Sequence, residues 1–349
     1  MKILITGSKG FIGKHLSLSL ERRGHKIIGF TRDNNIEDLR RFIQESDFIV
    51  HLAGVMRPID NIEFYESNYD LTENLVKILI EEHKDTPIIF SSSTQTSMNN
   101  DYGVSKLMAE TTLLNLQKVN GNKVYIFRLS NAFGIWGKPN YNSVVATFCY
   151  NISHNLDIRI DDPDKIINFI YIDDIVKTFS DIIDGKIVAK TSDFNIIKPF
   201  YPTSIGSLAF YLRSFHNDLS HVVFEEEMEF CKKLFDTFVS FYDYKNLLVP
   251  VSKTQNYFSL PNDYGTVKIF GLEKLSTTSF DDNIFTTRKI AILKGECLIQ
   301  LNRLYDSFKT EYLLKEENLN LLIVPAGHTV EIQAKTDAQI VCWENTPIK

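Results

Sequence analysis

Residues 2–13 read KILITGSKGFIG, an apolar run that passes straight into glycines at positions 7, 10 and 13. KILIT reads as a β-strand. Gly7, Gly10 and Gly13 follow that strand and open a helix, which is the context that turns a glycine pattern into a phosphate site. Gly7 allows the tight turn, and Gly10 lets backbone N–H groups approach a pyrophosphate at the helix N-terminus. Gly13 lets helix and strand pack closely. The expected dinucleotide contacts on this loop are Gly7, Lys9, Gly10, Phe11, Ile12 and Gly13.

The pattern continues outward from this loop. KIIGFT, a helix running to Glu45, DFIVHLAG, a helix from about Leu71, PIIFSSS, a helix carrying Tyr102, and KVYIFRLS alternate in order. Strict alternation of strand and helix implies right-handed crossovers and a parallel sheet covered on both faces. The expected fold class is therefore α/β, a Rossmann-type doubly wound sheet. After Asp184 the pattern loosens: residues near 204–241 read as helical, with an acidic block at 225–229. From about Lys253 the chain becomes short strands without intervening helices, separated by turns at Gly295, Asn318 and residues 325–327. Such a run suggests a separate all-β module, a small barrel or jelly roll. We expect one domain over residues 1–245, with its substrate-binding part at about 130–245, and a β domain over 246–349.

A chain of 349 residues exceeds one ordinary domain, which agrees with that division. A net charge of -6 leaves no electrostatic footprint for nucleic acid or an anionic membrane. Cys149, Cys231, Cys297 and Cys342 have no paired spacing, which argues against a disulfide framework and a cysteine metal site. Residues 3–5 are too short an apolar start for a signal peptide, and no run reaches the roughly 20 apolar residues of a membrane span. A cytoplasmic protein is expected.

Tyr102 and Lys106 stand four apart after the serine run at 91–93. On a helix, positions i and i+4 share a face, so the Lys106 ammonium can sit beside the Tyr102 phenol. A cation there favours phenolate and draws the tyrosine below its free value of about 10, toward useful acid–base chemistry. Ser93, at the end of the apolar run 87–90, is placed to hydrogen-bond a substrate oxygen. The pair alone reads equally as a solvated helix pair; the glycine loop and the serine run preceding it in order point to redox chemistry on a bound nicotinamide. At the tip of the second strand, Arg32 suits a ribose 2′-phosphate through its planar fork and leans the choice to NADP, although Asp33 follows one residue later. Leu52, Ala53 and Gly54 end DFIVHLAG and are expected beside the adenine and ribose. His51 in that run reads as a satisfied core histidine.

TGSKGFIG, DFIVHLAG, FSSST, Tyr102 with Lys106, RLSNAFG and FIYIDDIV fall in the order of extended short-chain dehydrogenase/reductases that act on nucleotide sugars, and over residues 1–185 the chain resembles them. The resemblance implies a catalytic triad of Ser93, Tyr102 and Lys106, with Asn131 in the nicotinamide and substrate region and Asp173 in a late acidic motif. Nine positions from Ser93 to Tyr102, together with AGVMRP and KPNYNSVVATFCY, look like bacterial capsule-polysaccharide enzymes that fuse such a reductase to a C-terminal cupin. In that group the reductase uses NADPH on the C4 ketone of a UDP-linked 6-deoxy amino sugar, and the cupin epimerises the sugar with a metal. The β-rich tail agrees with a cupin.

Three departures from the family's pattern bear on function. The segment that should carry metal ligands, FDDNIFTTRKIAILKG, has no histidine, and PAGHTVEIQA has Val330 at the metal-histidine position with only His328 nearby, so no metal is expected. His328 reads instead as a turn residue. The family's arginine before the late acidic motif is missing from DKIINFIYIDD, and Arg57 or Lys138 is a substitute for the diphosphate contact; Thr94, Gln95, Asn131 and Asn142 complete the expected substrate residues. Dehydratases of the family place Asp–Glu after the Ser93 position, whereas Thr94 and Gln95 do not titrate, so dehydration is not expected. The expected activity is NADPH-dependent reduction of the C4 ketone of a UDP- or dTDP-linked 4-keto-6-deoxyhexose for surface polysaccharide, in a homodimer. The alternatives are a nucleotide-sugar epimerase and a non-catalytic NADP-binding sensor or scaffold.

Overall fold

A computed structural model describes residues 1–58, 60–191, 193–217, 219, 228–250, 266–280, 284–318 and 320–344. Residues 225–227 of the acidic block and 281–283 of the ligand-poor segment lie outside these. The chain divides into two compact units. The first comprises Met1–Phe133, Tyr141–Ser143 and Ile167–Thr203, and the second Gly134–Asn140, Val144–Ile166 and Ser204–Lys349.

In the first unit, β1 (Lys2–Thr6) leads through the glycine loop to α1 (Phe11–Arg22), β2 (Lys26–Phe30), α2 (Ile36–Glu45) and β3 (Phe48–His51). A short α3 (Ile62–Tyr65) and a π-helical turn at Glu66–Asp70 precede α4 (Leu71–Glu81) and β4 (Ile88–Ser93). A 3-10 turn at Thr94–Ser97 opens onto the long α5 (Asp101–Asn120), then β5 (Val124–Leu129) and β6 (Asn131–Phe133). After α6 (Val144–Ser153), which belongs to the second unit, come β7 (Ile166–Tyr171), α7 (Ile172–Ile183), β8 (Phe194–Asn195) and β9 (Tyr201–Ser204).

Six strands form one sheet in the order β2-β1-β3-β4-β5-β8, and every pair in it is parallel. The reversal of strand order beside β1 is the crevice where doubly wound sheets bind ligands. Ile3, Leu4, Ile5, Ile49, Val50, Ile88, Ile89 and Phe90 are fully buried, as strands with helices on both faces require. Helix α2 starts with a capping box in which Asn35 accepts from the Asp38 amide and the Asp38 carboxylate accepts from the Asn35 amide. Arg23, on α1's C-terminal side, bonds Asp181 and Asp184 at 2.9 and 2.8 Å, which fastens the glycine-loop helix to α7.

In the second unit α8 (Ile205–Asn217) and α9 (Glu229–Val239) pack with α6 around Leu208, Leu212, Phe215, Leu234, Phe235 and Phe238. The all-β module follows as β10 (Leu248–Pro250), β11 (Thr266–Leu272), β12 (Thr277–Phe280), β13 (Arg288–Lys294), β14 (Glu296–Arg303), β15 (Lys309–Lys315), β16 (Asn320–Val324), β17 (His328–Ala334) and β18 (Ala338–Glu344). Two antiparallel sheets result, β10-β16-β13-β18-β11 and β12-β17-β14-β15, the layout of a cupin-like jelly roll. Burial along β14 and β17 alternates, which places Cys297, Ile299, Leu301, Val330 and Ile332 inside. Among the described residues no helix is long and apolar enough to cross a membrane.

Candidate active site

The glycine loop has the shape that a pyrophosphate needs. A Cβ on Gly13 would stand 2.3 Å from the Gly7 carbonyl oxygen and 2.8 Å from Ser8 Cα, and a Cβ on Gly7 would stand 2.9 Å from the Ala53 amide nitrogen. Backbone cannot yield as a flexible side chain does, so these positions accept glycine only. Gly7 also holds φ +71°, which glycine alone adopts freely. Helix α1 begins after Gly10 with no side-chain cap and no acidic residue in its first turn, which leaves its N-terminal amides and positive dipole end for an anion. The residues present therefore fit a dinucleotide.

Thr6 and His51 brace the base of this loop. Thr6 Oγ1 is 2.7 Å from His51 Nδ1 and accepts from the Ala53 amide at 3.1 Å, and His51 Nε2 is 2.9 Å from Thr72 Oγ1. Burial, with help from the Lys106 charge, drives His51 down to about 3, so it is a neutral, satisfied core group and no acid–base residue. At the strand tip, Arg32 Nη2 lies 3.6 Å from Glu63 Oε1 with 81% of its side chain exposed, while Asp33 pairs with Lys9 at 2.9 Å. So open an ion pair contributes little, and Arg32 is readily redirected to a ligand.

Ser93 and Tyr102 are hydrogen-bonded to each other, and Lys106 bonds the same strand two residues earlier, at Ser91. Ser93 is buried at the end of β4, caps the 3-10 turn through the Gln95 amide at 3.1 Å, and hydrogen-bonds Tyr102. Lys106 is buried and donates to the Ser91 carbonyl at 3.1 Å, 4.8 Å above the Phe90 ring. Burial lowers its pKa to about 8 against the opposing pull of Glu110.

The expected lowering of Tyr102 is corrected. Burial raises the Tyr102 pKa, and the Ser93 hydrogen bond offsets this only in part. The sequence places phenol and ammonium on one face; it does not show that both leave water, which penalises each charged form. A raised phenol remains a protonated donor at neutral pH.

Two further residues shape the site and escaped the sequence reading. Gly103 follows Tyr102 in the first turn of α5, where a Cβ would stand 2.1 Å from the Gln95 carbonyl oxygen, so the helix can approach the serine turn only without a side chain there. Asn68 is fully buried in the π-helical turn; it accepts from the Val55 amide at 2.9 Å and donates to Ser105 Oγ at 3.1 Å. A glycine inside a helix costs about 1 kcal/mol against alanine and is the one available signal for the first. Asn68 carries no such mark.

Among the proposed substrate residues, Arg57, Thr94, Gln95, Asn131 and Asn142 belong to the first unit with the triad, and Lys138 to the second. Arg57, Thr94, Asn131 and Asn142 are exposed, and Asn142 Nδ2 contacts Met56 Sδ at 2.9 Å. Asp173 sits in the first turn of α7.

The model of the NAD dependent epimerase/dehydratase family matches residues 3–196, more than half of the chain. The chain belongs to this family. Within and beyond it, the chain is 32% identical to the UDP-2-acetamido-2,6-beta-L-arabino-hexul-4-ose reductase of Pseudomonas aeruginosa, over 99% of this chain and 95% of that one. It is 26% identical to the UDP-glucuronate 4-epimerase 1 of Arabidopsis thaliana, over 51% of this chain and 53% of that one. Among solved structures, the capsular polysaccharide assembling protein CapF of Staphylococcus aureus matches with a TM-score of 0.67 at 30% identity, covering 100% of this chain and 97% of that one. The UDP-glucuronate 4-epimerase match covers about half of this chain, whereas the reductase and CapF matches span nearly all of it and so include the β-module.

In that module the described side chains at the two expected ligand positions are not metal ligands. Val330 is buried and apolar. His328 begins β17, where its Nε2 is 2.8 Å from the Tyr244 hydroxyl and its Nδ1 is 3.1 Å from the Pro325 carbonyl oxygen. Burial lowers it to about 4. Both ring nitrogens are engaged, and no cluster of three His, Cys, Asp or Glu forms among the described residues.

Proposed function

We propose that the protein is an NADPH-dependent reductase of the C4 ketone of a UDP- or dTDP-linked 4-keto-6-deoxyhexose, working in surface polysaccharide biosynthesis. It is an NAD(P)-dependent oxidoreductase of nucleotide sugars, and the observation that carries the finer reading is full-length similarity to a sugar 4-keto reductase together with an intact Ser93, Tyr102 and Lys106 set. Gly7, Lys9, Gly10, Phe11, Ile12, Gly13, Leu52, Ala53 and Gly54 hold the dinucleotide, which when bound supplies a hydride to the carbonyl carbon. Tyr102 Oη gives its proton to the developing alkoxide, so that hydride and proton together turn C=O into CH–OH. Ser93 Oγ hydrogen-bonds the same oxygen and stabilises its growing charge. Lys106 holds the nicotinamide ribose, and Asn131 lies at the nicotinamide and substrate end. Arg57, Thr94, Gln95, Lys138 and Asn142 contact the nucleotide sugar. The direct test follows loss of reduced-cofactor absorbance with a panel of UDP- and dTDP-linked 4-keto sugars; turnover of none of them overturns the reading.

Arg32 selects NADP in this reading. Its exposed guanidinium at the β2 tip supports the role, because a 2′-phosphate offers a bidentate partner better than Glu63. Arg32→Ala is expected to weaken NADPH far more than NADH in direct titrations. Equal losses would move the role to Lys9 or Ser8.

The β-module serves assembly or closure of the substrate site without metal chemistry. Metal analysis of protein purified without chelators is expected to find far less than one ion per chain, and substrate sugar protons should not exchange with deuterated water in the absence of NADPH. Stoichiometric zinc with such exchange would make the protein a bifunctional epimerase and reductase. The protein is further proposed to be a cytoplasmic homodimer; support comes from edge strand β11, whose Ile269 is 66% exposed beside Val267.

A further inference from the structure

Tyr102, Lys106 and Glu110 share one face of α5, each four positions after the last. The first two belong to the catalytic reading and the third does not. Glu110 is nonetheless buried, as is Ser92, the middle serine of the run, and Arg128, which opens the stretch RLSNAFG, is half-buried. These three residues meet. Ser92 Oγ donates to Glu110 Oε1 at 2.5 Å, while Arg128 gives Nε to the same oxygen at 3.0 Å and Nη2 to Oε2 at 2.7 Å. The Arg128 guanidinium is itself seated 4.0 Å over the Phe194 ring of β8. All of these residues, and the triad with them, lie in the first unit.

Glu110 accepts all three of these bonds, the arrangement of a carboxylate whose charge away from water needs partners. Arg128 is one, and Lys106, one helical turn back, is the other: the Glu110 charge is what works against the burial that lowers Lys106 to about 8. A Cβ on Gly54 would stand 3.1 Å from Lys106 Nζ, so the ammonium lies just beyond the carboxyl end of β3, the ligand side of a doubly wound sheet. The other titratable groups on the elements around it are Tyr102 on α5, His51 on β3, which burial keeps neutral, and Arg128 on β5. Glu66 and Asp70 of the π-helical turn and Glu73 of α4 are exposed. The serine run of β4 and Asn68 carry no charge.

We propose that Glu110 is a positioning residue: through Ser92 it clamps the serine end of β4 to α5, and its charge is the buried counterpart of the Lys106 ammonium. The inference rests on the reductase reading above for the use to which Lys106 is put. When Tyr102 gives its proton to the alkoxide, the phenolate left behind is favoured by a cation on the same helix face, so the protonation of Lys106 sets the rate of that step. Lys106 is an ammonium below its pKa and a neutral amine above it. Ketone reduction should therefore weaken as pH rises through about 8, and should weaken at lower pH once the Glu110 charge is gone.

NMR of the full-length protein with its lysines isotopically labelled at Cε, the Lys106 resonance assigned by its loss in Lys106→Met, reads the Lys106 titration without any substrate. Glu110→Gln keeps the size of the side chain and an acceptor for Ser92 but removes the charge. It is expected to lower the Lys106 midpoint by about one pH unit or more, the scale of a lost neighbouring charge. In single turnovers with preloaded NADPH, the alkaline fall of the reduction rate should move by the same amount, with the rate on its acid side within about threefold of wild type. Glu110→Asp should recover most of the shift, and Arg128→Gln, which leaves the Glu110 charge to Lys106 alone, should move the midpoint upward. Thermal unfolding checks that each variant is folded. A folded Glu110→Gln or Arg128→Gln with the wild-type Lys106 midpoint, or a midpoint that moves while the alkaline fall stays in place, overturns the positioning role. A midpoint that moves as expected in a protein that reduces no 4-keto sugar overturns the reductase reading and leaves the pairing of Glu110 with Lys106 standing.

Discussion

Tyr102→Phe is expected to leave NADPH affinity nearly intact while lowering the rate of ketone reduction by about 10²-fold or more, the scale of a lost, positioned proton donor. The substitution removes one oxygen from a half-buried ring packed 5.8 Å from Phe64, so shape and fold survive. What disappears is the only part of the ring that hydrogen-bonds Ser93. Because burial holds the phenol above its ordinary value, the donor is fully protonated at neutral pH, and the loss should be uniform across the neutral range. Single-turnover measurements with preloaded NADPH isolate the chemical step. Wild-type turnover in this variant would place the proton donor elsewhere.

Gly13→Val acts at the other end of the site and is expected to abolish measurable cofactor binding. Its Cβ meets the Gly7 carbonyl oxygen and Ser8 backbone well inside contact distance, so the loop must open. Losing two charge-assisted N–H bonds to a pyrophosphate, at roughly 1.5–3 kcal/mol each, amounts to a drop on the order of 10²–10⁴-fold in affinity. Overpacking beside α1 adds about 1–3 kcal/mol of lost stability, read as a lower Tm. Calorimetric titration with NADPH decides it; affinity within threefold of wild type would mean that the dinucleotide does not lie on this loop.

The parts of this site that could be read in the sequence are those whose chemistry is local. Glycines at 7, 10 and 13 after an apolar strand carry their turn and their helix N-terminus with them, and alternation of strand and helix carries the parallel sheet. Tyr102 and Lys106 share a helix face by spacing alone. The misjudged direction of the Tyr102 shift came from burial, which depends on α5 closing onto the serine turn through Gly103, a contact between segments. Asn68 was invisible for the same reason: its partners Val55 and Ser105 lie 13 and 37 positions away. His328 looked like a turn residue beside Pro325 and is instead the first residue of β17, tied to Tyr244 over 84 positions. Nor does any local pattern announce that residues 134–140 group with strands formed nearly two hundred positions later.

The central claim is net hydride transfer to C4 of a nucleotide-linked sugar. Incubation with NADPH carrying deuterium in the transferable position at the nicotinamide C4, followed by mass spectrometry and NMR of the sugar, reads it directly. The account predicts one deuterium on the sugar's C4 for each cofactor oxidised, from a UDP- or dTDP-linked 4-keto-6-deoxyhexose. A product that changes configuration with no deuterium gained and no cofactor consumed would contradict it and make the protein an epimerase.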